Sequence, residues 1–359
     1  LVNLFFMQPA SIDHYLGIEF VVDLVSSPEY MTYMGIFDAF NWVTQHNANL
    51  TILKPDNIHN EIVNSKNSLE LLRKYKDGSL SDNQKITKRI AIFDVENELN
   101  QLENFPYHDY PLNQVRGAHH NIISFMSDQH PVRNLSEAKD FIKRTDLVKD
   151  VFAGQLEWLE KQATAGIYAP EFVYVHLIKQ LNELISYSFD EHPLYTEFFK
   201  KVDLLNISDS DLSLLDRDLR TSIDTSVTPG FVLLRDFMLS TKDQANKKHG
   251  IWSQPNGDEF YKLRIRSYTT TDYSPEEIHN IGLSEVARIS ARMKEILTSL
   301  GYDSRKTAGV LMNELNEDPS LLYADTPDRK EIVVQDYMDM VNEATNGIKG
   351  YFHSMPEAQ

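Results

Sequence analysis

Capped helix starts recur along the chain and constrain its fold more than any other feature of the sequence. The segment Ser27–Glu29 places a hydroxyl residue before a proline, which at the first helical position costs no hydrogen bond. Ser274–Glu277 is a full capping box, in which the serine hydroxyl and the glutamate carboxylate each bond an orphan backbone N–H. Thr326–Asp328 is a third start of this kind. The chain is therefore predicted to be built from helices.

Scarcity of helix breakers supports the same fold class. Glycine and proline each account for 14 of 359 residues, and sustained strand alternation is weak. Short strands are expected only around Gly230–Leu234 and Phe260–Tyr268. The non-periodic stretch Asn104–Arg116, with two prolines, is predicted to be an ordered connection and a lobe boundary. We therefore expect a mainly α protein with at most a small β-hairpin.

The helix that follows Ser274 carries an apolar stripe at three- and four-residue spacing, which predicts one buried face. Its members are Val286, Ile289, Met293, Ile296 and Leu300. Continued backwards, the same spacing reaches Gly282 and His279. His279 is thus expected to point inward, as a core histidine or as a catalytic one, and Gly282 to allow a close approach.

Charge and composition exclude several functional classes. With 35 basic and 53 acidic residues, the formal charge of −18 argues against a nucleic acid or an anionic membrane face as the main partner. The absence of cysteine removes disulfides, thiolate metal sites and cysteine nucleophiles. No apolar run approaches the roughly 18 residues that a membrane-spanning helix needs.

No complete catalytic set is visible in the sequence. A zincin helix needs two histidines four residues apart, and none of the 12 histidines has such a partner. Phosphate-binding loops and the GxSxG elbow are also absent. Of the adjacent pair His119 and His120, one is expected to be buried and one solvated. Glu285 and Arg288 are explained by a surface ion pair. Catalytic residues therefore stay unassigned, and no metal ligands are predicted in this chain.

One block resembles a known family closely. Tyr268–Ile289 reads YTTTDYSPEEIHNIGLSEVARI, which is similar to a segment of the bacterial family DUF885, many of whose members are named as lipoproteins. Four further segments agree with that family, from about residue 27 to the end of the chain. They are Ser27–Glu29 followed by Gly35, Tyr110–Gln114, His130–Val132 and the turn Pro255–Gly257.

The resemblance implies the multi-helix scaffold of a zincin-like metallopeptidase. The zinc signature of that family, a His-Glu-x-x-x-Gly-His-His type of helix in its C-terminal half, has no counterpart in this sequence. Zinc is thus expected for a complete family member and not for this chain alone. Residues 1–110 are predicted to form an N-terminal helical lobe and residues 111–359 a central helical region. Both are expected to be parts of one larger domain that continues beyond this chain.

By that resemblance, the substrate-binding candidates are Tyr268, Thr269, Thr270, Thr271 and His279, whose side chains can donate hydrogen bonds to a peptide backbone or an oxyanion. The function implied is the scaffold and substrate-groove portion of a zinc-dependent peptidase. The expected partners are a peptide substrate or the missing C-terminal half, and not a nucleic acid. The alternative is a non-catalytic helical binding lipoprotein without the metal site. Either protein is expected in the periplasm or cell envelope, with a lipid anchor on a removed N-terminal segment as one route.

Overall fold

A computed structural model describes residues 9–352 and confirms the mainly α fold class. Within that range the extended pairing is one isolated parallel bridge, between Pro170 and Asn246. Contacts divide the chain into two compact units, the first ending at Asp272 and the second beginning at Tyr273. The boundary predicted near residue 110 lies inside the first unit and stays a prediction. No helix among the described residues has the length and apolar character needed to cross a bilayer.

The first unit contains thirteen of the α-helices. They are α1 (Ile12–Ser26), α2 (Pro28–Met34), α3 (Asn41–Thr44), α4 (Asn57–Lys74), α5 (Asp82–Asn104), α6 (Ala118–Ser124), α7 (Leu135–Asp146), α8 (Val148–Thr164), α9 (Glu171–Ser186), α10 (Pro193–Val202), α11 (Asp209–Ser222), α12 (Thr228–Thr241) and α13 (Gly257–Thr269). Two π-helical turns, Phe125–Gln129 and Ile223–Val227, directly follow α6 and α11. The predicted connection Asn104–Arg116 is non-helical after its first residue, as expected.

The main core of the first unit lies among α6 to α12. The Phe152 and Phe231 rings, on α8 and α12, lie 5.3 Å apart between centroids and are fully buried. Gly230 allows this contact, because a Cβ at that position would lie 2.6 Å from Phe152 Cδ2. A smaller apolar cluster contains Ile12 and Tyr15 of α1 and Leu72 of α4, and apolar residues of α5 pack against it. The stability of the helices in this unit therefore depends on tertiary packing more than on intrinsic helix propensity.

The second unit contains α14 (Pro275–Ser299), α15 (Ala308–Asn316) and α16 (Arg329–Ile348). Ser274 and Glu277 form the predicted capping box, with both reciprocal hydrogen bonds present. Helix α15 packs against α14, and Leu297 and Leu311 are the buried apolar residues of these two helices. The capping signals thus located the start of the longest helix correctly.

Both predicted strands are wrong. Gly230–Leu234 lies within α12 and Phe260–Tyr268 within α13. The β-branched and aromatic residues that suggested strands instead fill helix-packing positions, where Phe231, Leu234 and Phe260 are buried. Tertiary packing therefore overrides local β propensity at these two segments.

The predicted burial of the α14 stripe is also wrong. Val286 is 64% exposed and Leu300 is 63% exposed, and His279 is exposed rather than inward-facing. A Cβ at Gly282 would meet nothing within 4 Å, so this glycine does not serve a close approach. The spacing correctly identifies an apolar face of an amphipathic helix. Burial also requires an element that covers this face, and helical periodicity carries no information about that element.

Candidate functional site

The short helix α2 fixes the position of an acidic side chain. Ser27 caps it by accepting a hydrogen bond from Tyr30 N at 3.2 Å, and Pro28 occupies the first helical position. Gly35 ends the helix with φ of 63°, a left-handed conformation that glycine adopts without steric cost. The conformation of the Ser27–Glu29 segment is therefore set locally, and it places Glu29 in the first turn of the helix.

Glu29 is held by one residue on a neighbouring extended segment. Its Oε1 accepts a hydrogen bond from the Thr51 backbone N–H at 2.8 Å, and its Oε2 accepts one from the Thr51 hydroxyl at 2.6 Å. Among residues 9–352, no lysine, arginine or histidine nitrogen lies within 4.0 Å of this carboxylate. Two acceptor positions on the Glu29 carboxylate are used, and the others remain available to a ligand.

A cavity of about 390 Å³ opens beside this carboxylate, and we call it the Glu29 pocket. Its walls come from α2, α6, α8, the segment around Thr51, the connection before α6 and the π-helical turn after it. The lining residues are Glu29, Thr51, Leu53, Pro111, Ala118, Asn121, Ile122, Phe125, Val151 and Gln155. A mostly apolar lining with a few polar groups is typical of a small-molecule site.

Gly154 brings one wall of the pocket into place. A Cβ at this position of α8 would lie 2.5 Å from the Leu53 carbonyl oxygen, so only glycine permits this backbone approach. Leu53 and the next residue of α8, Gln155, both line the pocket. Because the segment that contains Thr51 and Leu53 packs closely onto α8, Thr51 and Gln155 line the same cavity.

Gln155 contributes a hydrogen-bond donor without a partner. Its Nε2 is buried and makes no hydrogen bond to any described residue. A buried amide N–H group without an acceptor costs about 1–3 kcal/mol, so this group favours an incoming acceptor. The pocket therefore offers an anionic acceptor at Glu29, and part of its wall is formed by Gln155, which carries an unpartnered donor.

Behind the pocket, Arg144 of α7 is fully buried and joins distant segments. Its Nε donates to Asn49 O at 2.8 Å, and its Nη1 donates to His130 Nδ1 at 2.9 Å. Its Nη2 donates to Thr32 Oγ1 at 2.9 Å and to the His46 carbonyl oxygen. No carboxylate is among these partners. The guanidinium therefore acts as a hydrogen-bonding hub between α2, the segment before Thr51 and α7.

The charge of Arg144 is compensated at longer range. Burial lowers its pKa to about 10, whereas the charges of Glu29 and Asp140 act to raise it, so the group stays protonated at neutral pH. Its guanidinium also lies 4.9 Å from the centre of the Phe125 ring, which lines the pocket. Arg144 thus stabilises both the acidic side chain and one apolar wall of the pocket.

Two histidines complete the buried network. Burial first, and the Arg144 charge second, lower the pKa of His130 to about 3, so the ring accepts from Arg144 in its neutral form. Burial also lowers the pKa of His46, although its Nε2 lies 3.5 Å from Asp38 Oδ1. Both rings thus serve as neutral hydrogen-bonding groups at neutral pH.

The predicted substrate-binding residues lie elsewhere. Tyr268, Thr269, Thr270 and Thr271 lie at the C-terminal end of α13 in the first unit, and none of them lines the Glu29 pocket. His279 lies on α14 in the second unit and is exposed. The four residues of the first unit lie close together because they are consecutive in the chain.

The hydroxyl groups of these residues are largely engaged with one another. Thr269 donates to Ile265 O at 2.8 Å and lies 2.7 Å from the Thr271 hydroxyl. Thr270, with φ of 55°, donates to the Thr269 carbonyl at 2.7 Å. The Tyr268 oxygen accepts from Arg264 Nη2 at 2.7 Å, and the ring is 76% exposed. Tyr268 therefore retains a hydroxyl proton that can be donated outward.

The pairs that the sequence explained structurally behave as predicted. Glu285 and Arg288 form an exposed ion pair at 2.7 Å. His119 is fully buried and His120 is partly exposed.

Within residues 9–352, no three histidine, aspartate or glutamate side chains converge in a way that could hold a metal ion. A zinc site therefore does not fit the residues that the structure describes.

The sequence analysis assigned no binding role to Glu29 or to the three residues that define the pocket chemistry with it. Thr51, Gln155 and Arg144 carry no motif of their own, because their roles depend on contacts between segments far apart in the chain. A signal was present in the segments that carry the family resemblance. Ser27–Glu29 supplies Glu29, Tyr110–Gln114 supplies Pro111, and His130–Val132 supplies the histidine that contacts Arg144.

These features define a mainly helical protein with a partly polar pocket in its first unit. The sequence profile of DUF885, described as "bacterial protein of unknown function", matches residues 28–359. The chain belongs to this family. No curated protein matches the chain in sequence.

Two solved structures share the fold. One is described as "the putative lipoprotein from Colwellia psychrerythraea", with a TM-score of 0.78 and 23% identity over 94% of this chain and 60% of that one. The other is "a putative lipoprotein of unknown function from Shewanella oneidensis", with a TM-score of 0.63 and 12% identity over 97% of this chain and 59% of that one. The chain thus spans about three fifths of the length of these structures.

Proposed function

We propose that this chain supplies the helical scaffold and part of the substrate-binding surface of a zinc-dependent peptidase of the bacterial cell envelope. The observation that carries the proposal is the Glu29 pocket, because two segments of the family resemblance, Ser27–Glu29 and Tyr110–Gln114, each contribute a wall to it. An apolar cavity with a few convergent polar groups suits a peptide side chain and its backbone.

The zinc ion in this proposal is held by residues outside 9–352, since the described residues offer no set of ligands. Zinc in a peptidase lowers the pKa of its bound water and polarises the scissile carbonyl. The described residues contribute binding and orientation. Tyr268, Thr269, Thr270, Thr271 and His279 are proposed as hydrogen-bonding contacts to the peptide backbone. An envelope location is supported by the two lipoprotein neighbours.

The test is native mass spectrometry of the protein purified from its natural host, with zinc content read in the same spectrum. We expect a mass above the 41.4 kDa of this chain, one zinc per protein, and hydrolysis of a fluorogenic peptide library that a chelator abolishes. Replacing Tyr268 by Phe is expected to raise KM for those peptides, because the hydroxyl donor is lost. A protein that carries no zinc and leaves the whole library intact overturns the proposal.

A second candidate function is a non-catalytic binding protein of the envelope. The observation that favours it is that no three potential metal-ligand side chains converge among residues 9–352. This candidate predicts a purified protein of 41.4 kDa that retains peptides without cleaving them. Mass spectrometry of the peptide after prolonged incubation separates the two candidates.

A further inference from the structure

We propose that the Glu29 pocket is a binding site for the free ammonium group of an apolar amine, such as the first residue of a peptide with a large apolar side chain. This inference goes beyond the proposed peptidase function, because such binding needs neither zinc nor hydrolysis. Its basis is the combination of one carboxylate, one unpartnered donor and an apolar enclosure in a single cavity.

The carboxylate of Glu29 selects a cation. It faces a cavity, and among residues 9–352 it receives hydrogen bonds only from Thr51 and has no cationic side chain within 4.0 Å. An ammonium group can donate to the acceptor positions that Thr51 leaves unused, and charge-assisted hydrogen bonds of this type are about twice as strong as neutral ones. The pocket thus binds the protonated form of an amine.

An anionic ligand is disfavoured, although a cation lies nearby. Arg144 is fully buried, and each of its three guanidinium nitrogens already donates to a protein acceptor. Because the side chain has no exposed surface, its charge cannot reach a ligand through a direct hydrogen bond. An anion in the pocket would meet the Glu29 carboxylate directly, and the repulsion is strong in a partly desolvated cavity.

The unpartnered amide of Gln155 adds a second point of recognition. Gln155 lines the cavity, and its Nε2 is buried, so a rotation of the side-chain amide is needed to turn this donor towards a ligand. An amine with an oxygen acceptor close to its nitrogen, as in an α-amino carbonyl compound or an amino alcohol, then satisfies Nε2 while its ammonium group faces Glu29. Such a ligand relieves the cost of the buried donor. A simple alkylamine lacks this acceptor and gains less.

Apolar walls and cavity size define the remainder of the ligand. Leu53, Ile122, Phe125 and Val151 line the cavity with Pro111, and its volume of about 390 Å³ lies within the usual range for small-molecule sites. Burial of an aromatic or aliphatic side chain against them removes apolar surface from water, which favours binding. The preferred ligand therefore has one large apolar group.

The probe for the experiment is L-phenylalaninol, which has an ammonium group, an oxygen acceptor, an apolar ring and no bond that a peptidase can hydrolyse. Calorimetric titration at about pH 6.5 keeps the amine protonated. We expect N-acetyl-L-phenylalaninol, which lacks the ammonium group, to bind at least about tenfold more weakly to the unchanged protein. Equal affinity for the two compounds, or no binding of either, overturns the inference.

Variants then place the site. Glu29→Gln is expected to weaken phenylalaninol binding about tenfold, and Gln155→Leu to weaken it several-fold. The matched control is Glu157→Gln, which removes the same charge as Glu29→Gln, but from a residue of α8 that does not line the pocket and pairs with Lys54 at 3.2 Å. Binding that responds to Glu157 as strongly as to Glu29 contradicts the assignment. Failure of peptide hydrolysis with binding intact would overturn the peptidase function alone.

Discussion

Glu29 Oε2 accepts a hydrogen bond from the Thr51 hydroxyl at 2.6 Å, while Oε1 accepts one from the Thr51 backbone N–H at 2.8 Å. One side chain thus ties α2 to an extended segment 22 residues further along the chain, at the edge of the only pocket we assign a binding role. Hydrogen bonds to a charged group contribute about 1.5–3 kcal/mol, so the Glu29–Thr51 pair is expected to contribute measurably to the stability of the first unit.

Replacing Thr51 by Val is expected to destabilise the protein by about 1–2 kcal/mol, because the hydroxyl hydrogen bond to the carboxylate is lost while the shape is kept. Urea denaturation followed by circular dichroism measures the change. Thr51→Ser retains the hydroxyl and serves as the control, with a smaller loss. A valine variant as stable as the serine variant would show that the pair contributes little.

Replacing Gly154 by Ala is expected to destabilise the protein by about 1–3 kcal/mol, because the new Cβ would lie 2.5 Å from the Leu53 carbonyl oxygen. Gly282 in α14 is the control, since a Cβ there meets nothing within 4 Å. Gly282→Ala is expected to stabilise its helix by up to about 1 kcal/mol. Thermal unfolding of the two variants measures both effects, and opposite signs are the expected result.

Replacing Arg144 by Met is expected to cost at least about 3 kcal/mol, because three backbone or side-chain acceptors and His130 lose their donor in a buried site, and each such group costs about 1–3 kcal/mol. Arg144→Lys keeps the charge and loses the forked geometry, so a smaller yet clear loss is expected. Chemical denaturation compares the two. If the methionine variant matched the wild-type protein, the network would be of little consequence.

Stability is expected to fall on acidification below about pH 6.5. Burial lowers the pKa of His130 to about 3 and those of His119 and His192 to about 4, whereas in the unfolded chain they titrate near 6.5. The unfolded state therefore binds more protons in this window. The stabilisation is fully present above pH 6.5 and is lost as the pH falls towards 4, by about 1.4 kcal/mol per pH unit for each histidine.

His192→Asn tests one contribution to this slope. His192 Nδ1 accepts from Leu194 N at 3.2 Å at the start of α10, and asparagine preserves such an N-cap without titrating. Between about pH 5 and pH 7, the slope of the unfolding free energy against pH is expected to decrease by the contribution of one histidine. His59→Asn, at an exposed position of α4, is the matched control for replacing a histidine outside the core. A slope unaffected by the His192 change contradicts the assignment.

His279→Ala is expected to change the unfolding free energy by less than about 0.5 kcal/mol, because the side chain is exposed on α14. The sequence pattern alone predicted a core position and a larger loss. Thermal unfolding distinguishes the two expectations. A drop in peptide hydrolysis without a change in stability would support the proposed substrate contact.

Much of the helical architecture could be predicted from the sequence because capping is local. Ser274 and the Ser27–Glu29 segment begin helices where their side chains satisfy nearby backbone N–H groups, and such contacts span only three residues. None of the residues that line the Glu29 pocket was among the predicted substrate-binding residues. Glu29 lies in a recognisable segment, yet its role depends on Thr51 and Gln155, which helical periodicity does not single out.

The sequence by itself determined the fold class, the starts of α2 and α14 and the family, because these depend on local hydrogen bonding, apolar spacing and matching segments. The start predicted at Thr326–Asp328 is wrong, since α16 begins at Arg329 without a side-chain cap. Tertiary structure alone decided which apolar faces are covered and which polar groups meet. The α14 stripe is a genuine amphipathic face that lies exposed, and Arg144 is a charged residue that lies fully buried. Both outcomes depend on contacts between residues far apart in the chain, which no local pattern encodes.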